Sequence, residues 1–183
     1  FAGNIRAVFW IAVIPAAACF LLAWLALREP ARHRDSAAPT PLLAGFRDID
    51  KPTRRLILVG FLFTLARFSE GFLVLKGIDA GLSPALSPLA LVLFNLGFGL
   101  LAYLAGWWSD RGRPRQLLAG GMVVLIIADL ILAMHWGLAG FAIGTLLWGA
   151  HMALTQGVFA RMIADAAPER LRATSFGAFY CAS

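Results

Sequence analysis

Five long apolar runs separated by short polar stretches set the pattern of this chain: Val8 to Leu27, Leu56 to Leu75, Leu86 to Trp108, Leu117 to Trp136 and Leu138 to Ala160. Each reaches the roughly 20 residues that a helix needs to cross the hydrocarbon core of a bilayer. Lipid offers no water to backbone N–H and C=O groups, so a single run of that length is satisfied there as a helix. Another apolar stretch opens at Thr174. The pattern predicts an all-α membrane protein, a polytopic transmembrane helix bundle with about five full spans plus the start of another. The chain opens on Phe1 and closes inside that last stretch, which leads to the expectation of a fragment of a longer protein.

The connections differ in kind. Pro30 to Arg55 is rich in Pro, Ala, Arg and Asp and reads as a polar linker between bundles. Gly77 to Ser87 and Trp136-Gly137 read as short turns. Arg161 to Arg172 reads as a further loop, and the third and fourth runs meet in a dense charged hairpin, Gly106-Trp107-Trp108-Ser109-Asp110-Arg111-Gly112-Arg113-Pro114-Arg115. Glycines at Gly97, Gly99 and Gly106 in the third run, and at Gly140, Gly144, Gly149 and Gly157 in the fifth, predict close approach of helix backbones. Pro15 inside the first run is tolerated in lipid-embedded helices.

Composition agrees with the pattern: 60% of the 183 residues are hydrophobic and 14% charged, with a mean hydropathy of +0.77. A net charge of +6 raises the question of nucleic acid, and the distribution of the charge answers it. Of the 16 basic residues, 13 fall in the linker, the hairpin and the Arg161 to Arg172 stretch, which share one membrane face if the runs alternate. Lys76 and Arg6 fall on the other. This bias makes the basic face cytoplasmic and needs no nucleic acid. A signal peptide is rejected because the first run continues past Cys19 to Leu27 and ends in a basic cluster. Phosphate-cradling glycine loops, Cys/His ligand spacing and Ser/His/Asp clusters are absent, so no cofactor, metal site or enzymatic chemistry is expected.

The hairpin resembles the signature loop of the major facilitator superfamily, Gly-x-Leu-x-Asp-Arg-x-Gly-Arg-Arg, through Gly106, Asp110, Arg111 and Arg113. Trp108 stands in place of the Leu, and Gly112 follows Arg111 directly, a turn one residue tighter. Pro168 to Gly177 is similar to the loop before the eleventh helix of that family. The resemblance implies that residues 1–28 hold the last helix of the N-terminal half, 29–55 a cytoplasmic linker, and 56–183 a truncated C-terminal half bundle. It further implies secondary active transport of a small solute by alternating access in a bacterial inner (plasma) membrane, with proton coupling an open option. The partners implied are a small-molecule substrate, protons as a candidate coupling ion, the lipid bilayer and the missing N-terminal half of the same chain. The rival reading is a sensor or membrane enzyme built on a similar bundle.

Several residues are candidates for chemistry. Arg67 and Glu70 sit at i and i+3 in the second run and are expected on one helix face, either as a substrate and proton site or as a pair that holds the helix. Trp148, His151, Met152, Thr155 and Phe159 form one stripe on the fifth run, read as cavity lining or as helix packing. Asn95 carries the same two readings, and Gln156 lies near the stripe. The resemblance places the seventh, eighth, tenth and eleventh helices at the central cavity and the ninth behind it, so Asp129 is expected to hydrogen-bond a neighbour. The hairpin residues Gly106, Asp110, Arg111, Gly112 and Arg113 form a candidate conformational motif. Asp110 sits where the helix macrodipole is negative and needs a positive answer. Arg111, Arg113 and Arg115 are immediate candidates, and the resemblance adds the start of the helix after Arg172. The motif reads either as a latch between transport states or as a topological staple.

Overall fold

The computed structural model describes residues 5–26 and 48–182. The described residues are helical apart from the turns between helices, with no strand among them. The chain divides into two units, 1–39 and 40–183. The first contains α1 (Ile5–Ala26), which has Pro15 inside it and large exposed apolar side chains in Trp10, Phe20 and Trp24. Most of the Pro30 to Arg55 linker lies outside the described residues.

The second unit is built from α2 (Lys51–Leu65), α3 (Gly71–Asp79), α4 (Leu89–Asp110), α5 (Pro114–Ala133), α6 (Gly137–Ala166), a 3-10 turn (Glu169–Leu171) and α7 (Arg172–Ala182). Among the described residues, α4, α5 and α6 are each long and apolar enough to cross a membrane. Lys51 to Arg55, read as linker from the sequence, form the opening of α2 with Pro52 in its first turn.

The expected second span is not one helix. It stops at Leu65, passes through 66–70 without helical structure and resumes at Gly71. Neither proline nor glycine lies in that gap, and local side chains account for it. Thr64 Oγ1 donates back to the Gly60 carbonyl at 3.0 Å, and the Gly71 N–H is taken by Ser69 Oγ at 3.3 Å. Hydroxyls that bond nearby backbone in this way bend helices and compete with the helical ladder. The expected loop from Arg161 is also corrected, since α6 runs on to Ala166. Nothing from Arg161 to Ala166 breaks a helix, and Pro168 sits beyond its end. At 30 residues, α6 is about 45 Å long, more than the hydrocarbon core is thick.

The core is organised around α6, which packs lengthwise on both α4 and α5. Its fit to α4 is reciprocal: a Cβ on Gly97 would collide with the Leu146 carbonyl, and one on Gly149 with the Phe94 carbonyl. These are backbone atoms that cannot swing aside. The close approach expected from the glycines is therefore present at this contact. On the α5 side, a Cβ on Gly144 would lie 2.6 Å from Leu132 Cγ. The outer surface is apolar, with Val92, Leu96, Leu100 and Tyr103 exposed on α4 and Val123, Ile126 and Leu130 on α5. The interior holds fully buried Thr145, His151 and Thr155. An apolar exterior over a partly polar interior suits lipid as the surrounding solvent.

Candidate functional site

The gap between α2 and α3 places Arg67 against α6. Its guanidinium carbon lies 5.8 Å from the Trp148 ring centroid and 6.0 Å from that of Phe63, and its Nε is buried without a hydrogen-bond partner. Phe68, also in the gap, packs on Trp148 at 5.2 Å between centroids. Trp148 meets the His151 ring edge-on at 4.7 Å, Phe63 lies 6.1 Å from His151, and Phe94 of α4 is 5.5 Å from Trp148. Trp148 Nε1, both His151 ring nitrogens and Thr145 Oγ1 are buried and have no partner among the described residues. Native interiors leave few polar groups in this condition, so these residues form a cluster of unsatisfied polar groups among aromatic rings. Arg67 and Trp148 can only donate, which fits the cluster to an acceptor such as an anionic or carbonyl oxygen.

The structure separates the other sequence candidates from that cluster. Arg67 and Glu70 do not share a helix face: Arg67 lies in the gap, while Glu70 is the exposed N-cap of α3, and no ion pair joins them. Asn95 is exposed and donates to the Leu91 carbonyl at 2.7 Å, so Phe94 rather than Asn95 represents α4 in the cluster. Thr155 is buried, and its hydroxyl is satisfied by the His151 carbonyl at 2.8 Å. Met152 and Phe159 are buried core, and Gln156 is exposed. Asp129 lacks the hydrogen-bonding neighbour expected for it: its Oδ1 is buried without a partner, beside a largely apolar cavity of about 510 Å³ between α3 and α5. At the rim of that cavity Lys76 pairs with Asp79 at 2.7 Å. The ammonium holds the exposed Asp79 carboxyl below its ordinary pKa.

The hairpin is the second candidate. Asp110 is the last residue of α4, Gly112 takes φ +79°, and Pro114 opens α5. The left-handed φ explains glycine directly after Arg111, since other residues are strained there. Gly106 has nothing within 4 Å of an added Cβ and borders a cavity of about 220 Å³. Asp110 is answered by neither the hairpin arginines nor the start of α7. Its partner is Arg161 of α6, whose Nη1 donates to Asp110 Oδ1 and lies 3.3 Å from Ser109 Oγ, while its Nε is 3.5 Å from Asp165 Oδ2. Arg161 escapes the sequence reading because that reading ends the helix at Ala160. Its signal was the unbroken helical sequence through Ala166.

Helices of crossing length, an interrupted span carrying an arginine, and a short basic hairpin tied to the neighbouring helix define a polytopic membrane protein of the helical-bundle class. The sequence profile of the Major Facilitator Superfamily matches residues 1–183, and the chain belongs to that superfamily. It is similar to Uncharacterized MFS-type transporter MJ1317 of Methanocaldococcus jannaschii, at 27% identity over 143 residues, which covers 74% of this chain and 36% of the relative. The chain thus spans about a third of the length of the curated relative it matches. No solved structure matches it.

Proposed function

We propose that this chain supplies most of the C-terminal half, and the last helix of the N-terminal half, of a secondary transporter that moves a small solute by alternating access. In this reading residues 1–28 end the first half, 29–55 form a cytoplasmic linker and 56–183 belong to the second half. The interrupted span at 66–70 carries the proposal. Non-helical backbone at membrane depth is tolerated only where protein or a water-filled cavity covers it, and discontinuous helices of this kind form ion and substrate sites in secondary transporters. Here the interruption bears an arginine beside buried donors that lack acceptors.

Each residue then has a role. Arg67 and Trp148 hold an anionic or polar group of the solute, His151 supports them, and Glu70, exposed at the head of α3, exchanges a proton. The hairpin acts at the cytoplasmic face, where the Asp110–Arg161 pair joins α4 to α6 and holds one state of the bundle. The membrane is a bacterial inner membrane, with the basic residues facing the cytoplasm.

Uptake into proteoliposomes containing the full-length protein tests the reading, with a panel of small carboxylates and phosphates under an imposed pH gradient. Arg67→Ala should abolish uptake, Arg67→Lys should restore it only in part because bidentate geometry is lost, and Glu70→Gln should remove the dependence on the gradient. Normal uptake by both Arg67→Ala and Glu70→Gln would overturn the assignment.

A further inference from the structure

Because Arg161 occupies Asp110, the arginines of the hairpin are left over. Arg111, Arg113 and Arg115 are exposed and form no ion pair among the described residues. Arg111 instead sits over the Trp107 ring, its guanidinium carbon 3.1 Å from the centroid. A guanidinium has five N–H donors, and a contact with an indole face leaves donors for an acceptor. A cavity of about 650 Å³ opens at this point, lined by Trp107, Trp108, Arg111, Arg113, Gln116 and Leu117. Arg115 and Arg113 border a second, smaller one beside it.

We propose that this hairpin is a binding site for the phosphate headgroup of an anionic phospholipid. The hairpin joins the ends of two helices of crossing length, so it lies at a membrane surface; the proposal rests on that membrane-spanning reading. Trp107 and Trp108 are each a little under half exposed, as suits indoles at headgroup level. Arginine forks match phosphate oxygens, and basic pockets between helices near the cytoplasmic surface hold anionic headgroups. The walls are mixed: guanidinium and amide groups meet the phosphate, while indole and Leu117 meet the glycerol and upper acyl chain. A soluble phosphate would use the cations but not the apolar wall, and it would not need a place at the bilayer surface.

The test uses the full-length protein in nanodiscs of phosphatidylcholine doped with phosphatidylglycerol, the lipids that co-purify in the native mass spectrum being counted. Wild type should retain phosphatidylglycerol over phosphatidylcholine. Arg111→Gln/Arg113→Gln/Arg115→Gln should lose that preference by about tenfold or more. Arg54→Gln/Arg170→Gln/Arg172→Gln, with the same net charge, should keep it. Trp107→Leu, which leaves all charges in place, should weaken retention severalfold and guards against an effect of topology alone. Equal loss in both triple variants would reduce the effect to general charge and overturn the site, as would retention unchanged in the hairpin triple. Displacement of the lipid by millimolar inorganic phosphate would overturn the assignment to lipid. A protein that fails to float with vesicles would refute the membrane reading itself, whereas one that floats without lipid preference would refute only this proposal.

Discussion

Asp110 shows how a single residue joins local chemistry to the larger machine. An acid at the C-terminal end of α4 meets the negative pole of the helix, and Arg161 offsets that cost from the adjacent α6. The side chains are 78% and 37% exposed, so a double-mutant cycle of Asp110→Asn and Arg161→Gln on detergent-solubilised protein should give a stability coupling of no more than about 1 kcal/mol. The effect on conformation is expected to be larger than the effect on stability. Asp110→Asn should leave expression and topology intact while increasing labelling of cavity cysteines from the cytoplasmic side, and unchanged labelling would reduce the hairpin to a topological signal. Gly112 is a local constraint of another kind: Gly112→Ala at φ +79° should cost about 1 kcal/mol, read as a lower melting temperature. The need for a partner at Asp110 was legible from charge and helix polarity alone. Which arginine supplies it was not, because that depends on two helices lying side by side with partners 51 positions apart.

The elements divide into those the apolar pattern describes well and one it does not. The runs that became α4, α5 and α6 differ from their helices by a few residues at most ends, because length and hydropathy decide a lipid-embedded helix. The second run is of comparable length, yet it breaks, at the stretch that carries Arg67, Ser69 and Glu70. The decision there rests with Thr64 and Ser69 hydroxyls bonding nearby backbone and with Phe68 packing on Trp148, and tertiary contacts of that kind leave no period in a sequence. The α4 to α6 contact offers a clear test at this scale. Gly97→Ala and Gly149→Ala each force a methyl into facing backbone, and each should destabilise the protein by about 1 to 3 kcal/mol. Gly106→Ala, with open space around it, should change the melting temperature far less. If all three variants melt alike, the backbone contact is wrong.

For the whole molecule, the proposed function has two helical halves rock about a midplane site to which this chain contributes Arg67, Trp148 and His151. The stripe on α6 was legible from its helical spacing, and its surroundings were not: Phe94 joins it through packing on Trp148, while Glu70 and Asn95 occupy exposed positions. The topology implied by the basic residues can be checked with single cysteines in the full-length protein. Arg113→Cys should react with an impermeant reagent only from the cytoplasmic side, and Gly81→Cys only from outside. Alternating access, as proposed, acts at the interrupted span, and Ser69 lies in that interruption with its side chain exposed. Labelling of Ser69→Cys in the otherwise cysteine-free full-length protein, from each side of oriented membrane vesicles, tests this. Alternating access should give reaction from both sides, with Asp110→Asn shifting the ratio toward the cytoplasmic side; reaction from one side only, unmoved by Asp110→Asn, would rule it out.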